Sequence, residues 1–349
     1  MRPLSMIRRF AAFTLVLALG MMELAGCSAG QEDNGQTDSS KSRGYSPVRI
    51  GTMPTEDFLP MWVAEKDGLF AENGVDVENI SFDSAQTLSA AIAAGEVDMA
   101  MVDVMRAIKL NESGTPVDIE WVTLGAESSQ GVFGVLAPAD APYSTLAEFA
   151  AAVEAGDPLA LKGVGLASNT VPEYVFEMLC EQQGIDPSLI PVVEVASLPE
   201  RYSLLASDNL GAAALPASLL DLGVASGMIL LADDSQGDNI SQSVMVARSA
   251  FAAEDPDALS KIADAWDEAV GMIDENPFAY IPLLAEKANL NGSVIDSYEV
   301  SEYPLAVEGG SLVRIDPSLV TPQIEWMLQK GYLSSDVVYD ASTGAFTVH

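Results

Sequence analysis

Histidine is all but missing from this chain: the single copy, His349, is the final residue. A nucleophilic triad built on histidine is therefore excluded by count, as is a zinc site of the Cys/His kind. Cysteine is nearly as scarce, with Cys27 and Cys180 alone. Basic residues are few, 16 Lys and Arg against 51 Asp and Glu, for a formal charge of −35. Phosphate backbones are held by clustered cations, so nucleic acid is excluded as a partner. The sequence has no Gly-x4-Gly-Lys-Ser/Thr cradle for a nucleotide. The stretch 233–239, Asp-Asp-Ser-Gln-Gly-Asp-Asn, is rich in oxygen ligands but lacks the spacing and closing bidentate Glu of a calcium loop, and it reads as a solvated acidic turn. No metal, no cofactor and no catalytic residue is expected.

Long apolar runs are also absent after residue 26: none approaches the ~18 residues that a membrane helix needs, so the remainder is expected to be soluble. The acidic excess implies an anionic surface whose field favours cations and disfavours anions, although salt screens it within about 10 Å at 0.1 M. Solubility in a salty or crowded exterior accounts for the same excess. Charge alone names no ligand.

What is present begins with Arg8 and Arg9, an apolar run over 10–22 too short to span a bilayer, and then Leu24-Ala25-Gly26-Cys27. This order is an export leader, and it resembles the leaders of bacterial lipoproteins. The resemblance implies that residues 1–26 are a signal peptide, that the Cys27 thiol is diacylated, and that the chain is cut before it. Two or three buried acyl chains anchor durably where one binds only marginally. The expected location is outside the cytoplasm, on the outer face of the cell membrane or the periplasmic side of an envelope membrane, with lipid as the only attachment. Cys180 then has no disulfide partner; in the helical pattern running from Tyr174 it is a small core hydrophobe. The polar stretch after Cys27, up to residue 47, reads as a flexible tether with a reach of about 25 Å.

From Val48 onward, short β-rich runs alternate with amphipathic helices, the pattern of mostly parallel sheets covered on both faces. Strands are expected at 48–51, 75–80, 97–102 and 117–124, and a helix at 60–67 with Gly68 as its stop. Asp83 or Ser84 caps a helix through 94, with Gln86 at capping-box spacing from Asp83 and Gly95 as terminator. The β-run 131–138 is read as a first crossover into a second lobe. There, strands are expected at 162–167, 191–195, 211–215 and 228–232, and helices at 171–183, 199–206 and 217–225. The run 242–247 is read as the return crossover. The rest is expected to be helical: Asp255 and Asn276 each cap a helix with proline next, and 322–330 forms a last helix ended by Gly331. Length beyond the size of a single core agrees with two lobes, residues 48–132 plus 246–349 and residues 133–245. Hinges are placed near 132–135 and 243–246, around a cleft.

Several stretches carry a family resemblance. Ile50-Gly51, followed by Leu59-Pro60-Met61-Trp62-Val63-Ala64-Glu65-Lys66-Asp67-Gly68-Leu69-Phe70 and on to Val77, resembles the opening of periplasmic binding proteins of the nitrate, taurine and alkanesulfonate class, which also includes binders of pyrimidine precursors. Ala90 to Ala100 is similar to the next block of that family, and the turns Ala167-Ser168-Asn169-Thr170 and Leu215-Pro216-Ala217 fit its second lobe. The likeness runs over 48–332 and departs at 207–212, where the family's Gly-x-Val-Asp-Ala pattern is missing. It implies an α/β, two-lobed periplasmic-binding-protein fold of type II, in a monomer that captures a small polar solute and delivers it to the permease of an ABC importer. An enzyme on the same scaffold, related to pyrimidine-precursor synthesis, and a sensory or adhesive lipoprotein are the alternatives.

In open parallel sheets ligands sit beyond the carboxyl ends of the strands. The loops there make Met53, Thr55, Phe58, Phe82, Asp83, Ser84, Asp103, Gly125, Ala126, Ser168, Asn169, Thr170 and Pro216 the candidate ligand contacts. Thr170 with Glu173 forms a capping box at a helix start whose free N–H groups suit an oxygen atom of a ligand. Asp103 either meets a ligand amine or only caps the next helix. Glu56, Asp57, Asp83, Asp103 and Glu127 outnumber Arg106, Lys162 and Arg201, which points to a neutral or amine-bearing solute. Of Phe58, Trp62, Phe82, Trp121, Tyr174 and Tyr202, the loop residues Phe58 and Phe82 are the preferred stacking pair.

Overall fold

The computed structural model describes residues 46–130, 133–235, 240–288, 298 and 300–349. The expected leader, Cys27, nearly all of the tether and most of the acidic turn at 233–239 lie outside the described residues.

Two five-stranded sheets carry the fold. In the first, β1 (Val48–Thr52), β2 (Val77–Ser81) and β3 (Met99–Asp103) run parallel, with Ile50 opposite both Asn79 and Met99. The last strand in line is β4 (Val117–Leu124). The second sheet takes β5 (Phe133–Ala137), β6 (Val164–Leu166), β7 (Val192–Glu194), β8 (Ala212–Pro216) and β9 (Ile229–Asp233). The chain then returns as β10 (Ser243–Arg248), antiparallel between β3 and β4, with Ser243 facing Asp103 and Leu124.

The strand orders are β2-β1-β3-β10-β4 and β7-β6-β8-β5-β9. Both sheets follow one rule: second strand, first, third, an inverted strand, fourth. The inverted strand is in each case the one by which the chain arrives from the other sheet. The runs expected as crossovers are thus strands belonging wholly to one sheet: Ser243, Val244 and Met245 pair only with β3 and β4. The connections between sheets lie before β5 and before β10.

Strand β3 is buried throughout, as a central strand covered on both faces requires. Its alternation splits the core. Met99 and Met101 pack with Trp62, Trp121 and Trp266 under α1 (Leu59–Asp67), α2 (Leu69–Glu72) and α10 (Pro256–Glu275). Ala100 and Val102 face Leu88, Ile92 and Ile108 of α3 (Ala85–Ala94) and α4 (Val104–Glu112). In the second sheet Val164 and Leu166 pack toward α5 (Leu146–Glu154) and α6 (Val171–Gln182). Leu136, Ala213 and Leu215 face α7 (Leu198–Ala206) and α8 (Ala217–Ala225). Gly163 enters β6 at φ 77°, where a Cβ would stand 2.2 Å from the Pro191 carbonyl oxygen.

Two expectations are corrected, and one element was not anticipated: the alanine-rich stretch after β5 holds α5, started by Thr145, whose hydroxyl accepts from the Glu148 N–H. After the short helices α9 (Ser249–Glu254) and α11 (Ile281–Lys287), the last helix α12 (Pro317–Gln329) begins five residues earlier than expected. Asp316 caps it with Pro317 at the first position, leaving Pro322 inside. The C-terminal part also contains the hairpins β11 (Val307–Glu308) with β12 (Ser311–Leu312), and β13 (Val337–Asp340) with β14 (Ala345–Val348). The second hairpin lies against β4: the Ile119 N–H donates to the Gly344 carbonyl at 2.8 Å. An edge strand is thereby covered.

The two sheets share packing through α12. Trp326 stands edge-on to Tyr174 of α6 at 5.3 Å, and its Nε1 donates to Glu177 at 2.9 Å. Lys330 donates to Glu177 at 2.5 Å, and the Tyr332 hydroxyl donates to Glu173 at 2.8 Å.

Candidate functional site

Helices α3 and α4, which start at the cleft, are each fixed by a side-chain cap. Ser84, not Asp83, caps α3: its Oγ accepts from the Thr87 N–H at 3.2 Å, so the expected Asp83–Gln86 box does not form and Asp83 points to solvent. Asp103 caps α4, taking the Arg106 N–H at 2.6 Å. Thr170 precedes α6 without capping it. Its hydroxyl donates back to the Ala167 carbonyl, and Glu173 reaches the Asn169 N–H at 2.7 Å instead. Asn169 holds φ 58°, a left-handed turn that asparagine tolerates.

These starts surround a cleft of about 550 Å³ of empty space, part of it open to solvent. The first sheet supplies Met53, Thr55 and Asp57 after β1, Ala85 and Gln86 of α3, Met101 and Asp103 of β3, and Ser243 of β10. The second supplies Phe133, Ala167, Thr170, Pro172, Leu198, Arg201 and Pro216. The cavity therefore lies beyond the carboxyl ends of parallel strands in both sheets at once.

Among the expected contacts, Met53, Thr55, Asp103, Thr170 and Pro216 come together in this lining. Ser84 sits directly behind it as the cap of α3. Phe58 does not reach it: the ring is fully buried, edge-on to Trp62 at 5.5 Å, because the short turn Glu56–Phe58 folds it under α1. Phe82, Asp83, Gly125, Ala126, Ser168 and Asn169 also lie outside the lining. Phe82 packs toward Gly51 and Leu88, and Ser168 is tied through its N–H and Oγ to Glu194. None of the six proposed stacking aromatics borders the cavity; the aromatic that does is Phe133, at the start of β5.

Sequence reasoning counted Asp57 and Arg201 among the charged groups near the cleft without naming them as contacts. Asp57 is 6% exposed and Asp103 is 8% exposed. Burial pushes both carboxyls above the usual carboxylate range, and for Asp57 the charge of Asp103 adds to the rise. Ser243 and Thr55 oppose the rise at Asp57, as the positive charge and N–H of Arg106 do at Asp103. Arg201 is 1% exposed, and burial lowers its guanidinium to about 10. Its Nε and Nη2 donate to the Val195 carbonyl at 2.9 and 2.7 Å, and its Nη1 to the Ala214 carbonyl at 2.7 Å. The guanidinium thus ties the residue just past β7 to the middle of β8.

Beside Asp57, Glu56 turns the opposite way. Its carboxylate takes the Tyr298 hydroxyl and the Ser301 N–H, the latter at 2.8 Å, while the Tyr303 hydroxyl donates to its carbonyl at 3.0 Å. Burial raises Glu56 as well. This knot fixes the turn that presents Thr55 and Asp57 to the cleft. Among the described residues no group of His, Cys, Asp and Glu is arranged to hold a metal ion, and no helix is long and apolar enough to cross a membrane.

The NMT1-like family matches the chain over residues 42–285. A comparison with curated proteins finds no match. Among solved structures, the periplasmic nitrate-binding protein NrtA from Synechocystis PCC 6803 is similar at a TM-score of 0.67 and 16% identity, covering 82% of each chain. The periplasmic aliphatic sulphonate binding protein SsuA from Escherichia coli is similar at a TM-score of 0.64 and 15% identity, over 83% of this chain and 94% of its own. The alkanesulfonate-binding protein SsuA from Xanthomonas axonopodis pv. citri, solved with MOPS, gives 0.66 and 14%, over 82% and 94%. Likeness at this identity establishes the fold, that of periplasmic binding proteins. All three are named for what they bind, not for a reaction.

Proposed function

The chain belongs to the NMT1-like family, and we propose that it is an extracytoplasmic solute-binding lipoprotein that captures a small polar molecule between its lobes and hands it to the permease of an ABC importer. The observation that carries this reading is the single cavity edge drawn from both sheets: Thr55, Asp57 and Asp103 on one side, Thr170, Arg201 and Pro216 on the other. A solute that touches both sides binds the closed arrangement better than an open one, so closure follows from its differential affinity. Met53, Thr55, Asp103, Thr170 and Pro216 are the contacts retained from the sequence, joined by Asp57 and Phe133. The lobes divide before β5 and before β10.

Cys27 carries the lipid, and the polar tether after it lets a monomeric body meet its permease at the membrane. Native mass spectrometry of protein purified without refolding tests the capture: a small molecule is expected to co-purify, and its removal and return are expected to change the radius of gyration. A cavity that stays empty under every extract, with no compaction, overturns the reading. For the anchor, the expected result is an acylated Cys27 peptide in the purified protein and release into the medium with Cys27→Ser.

A further inference from the structure

Resting on that solute-capturing reading, we infer that the solute is a small organic cation, an ammonium or amidinium nitrogen on an apolar body, whose N–H groups are taken by Asp57, Asp103 and the hydroxyl of Thr55. The geometry points there by what is left unfilled. Asp57 and Thr55 line the cavity and are more than nine-tenths buried, and Asp57 Oδ1 and Thr55 Oγ1 meet no partner at hydrogen-bond geometry among the described residues, although Thr55 and Ser243 stand close enough to Asp57 to hold its carboxyl down in part. A buried oxygen without a donor is costly, and native structures rarely leave one unfilled without a reason. Asp103 adds a second carboxylate to the same wall, with one oxygen already given to its helix cap.

Charge counting sharpens the class. Two carboxylates and one guanidinium line the cavity, and the guanidinium has three of its N–H groups committed to main-chain carbonyls. Arg106, outside the lining, offsets Asp103 alone, so Asp57 is the carboxylate left for a cation, whereas an anion meets two buried carboxylates at the near wall. Burial pushes both carboxyls up, and an arriving positive charge is what offsets that burial. The rest of the lining, Met53, Met101, Phe133, Pro172, Leu198 and Pro216, offers apolar surface for a carbon skeleton.

The test compares head groups on one skeleton. Calorimetry and thermal shift on the full chain use n-butylammonium, n-butanesulfonate and n-butanol as probes. Butylammonium is expected to bind and to raise the melting temperature, with the other two inert; Asp57→Asn and Asp103→Asn are each expected to weaken it at least tenfold, and Thr55→Val several-fold. The probe comparison needs no variant, so it stands even where a substitution fails to fold. Butanesulfonate binding in preference to butylammonium, or a co-purified solute without a basic nitrogen, leaves solute capture standing and overturns the cation. Butylammonium binding unchanged in both Asn variants also overturns it. Binding of neither probe, with no co-purified molecule, overturns both.

Discussion

The two lobes share a strand order and differ in what they place at the strand ends. The first ends its strands in acids and hydroxyls, Thr55, Asp57 and Asp103, on a sheet whose central strand is buried throughout. The second has three-residue strands at β6 and β7, with Val192 half exposed on the outer one, and brings to the cleft small and apolar residues with one braced arginine. Topology fixes where a cleft lies; residue types at the strand ends fix what it holds. The first lobe brings acids and hydroxyls to the cleft and the second brings mostly apolar surface.

The largest test of that contrast is stability. Trp266→Ala empties a fully buried site in the first lobe and is expected to cost about 3–5 kcal/mol, as Phe149→Ala is in the second. Because one buried cluster runs through both lobes by way of Trp326 and Tyr174, denaturant curves are expected to stay single and coincident by tryptophan fluorescence and circular dichroism. Separate transitions would mean that the lobes stand alone.

Acidity separates the lobes next. Glu56, Asp57, Asp103 and Glu120 are all buried acids of the first lobe with raised carboxyls, and burial lifts Glu120 from 4.5 to about 7 although Arg314 lies 2.5 Å away. Such groups hold a proton more tightly folded than unfolded. The stability that Glu120 adds is complete below its unfolded value of 4.5 and is lost as pH rises to about 7. For Glu120 this amounts to about 1–3 kcal/mol. Melting temperature is therefore expected to fall between pH 5 and 7, and Glu120→Gln is expected to flatten the slope.

A smaller effect tests the join between the lobes. Glu177 accepts from Trp326 and Lys330, so Glu177→Gln is expected to cost about 1–2 kcal/mol and to speed hydrogen exchange in α6 more than in α1. Smallest are the helix caps, one per lobe: Ser84→Ala and Thr145→Ala are each expected to cost about 1 kcal/mol by thermal melts, and a large asymmetry would mark the weaker lobe.

Much of the architecture was legible because it depends on local rules. Gly68 and Gly95 stop their helices at φ 83° and 70°, as glycine after an apolar helix should. Strand 117–124 and helix 217–225 have the expected bounds. What was not legible depends on partners distant in sequence. Periodicity gives no hint that 133–137 and 243–248 are inverted strands inside two different sheets, since direction is set by pairing and not by pattern. Phe58 read as a loop aromatic because nothing nearby in sequence announces that Glu56 is tied to Tyr298, Ser301 and Tyr303, a tie that turns the ring inward. Asp57 went unnamed as a contact for the same reason, since its direction is the complement of that knot.

The inverted strands also impose an order on biogenesis. Everything the second sheet needs is contiguous, from β5 to β9, so this half can close as soon as its own segment has emerged. The first sheet cannot: β3 and β4 stay unjoined until β10, synthesised more than a hundred residues after them, arrives to fill the gap. The half synthesised first is thus the last to be finished, and until then β3 and β4 keep their facing edges unpaired.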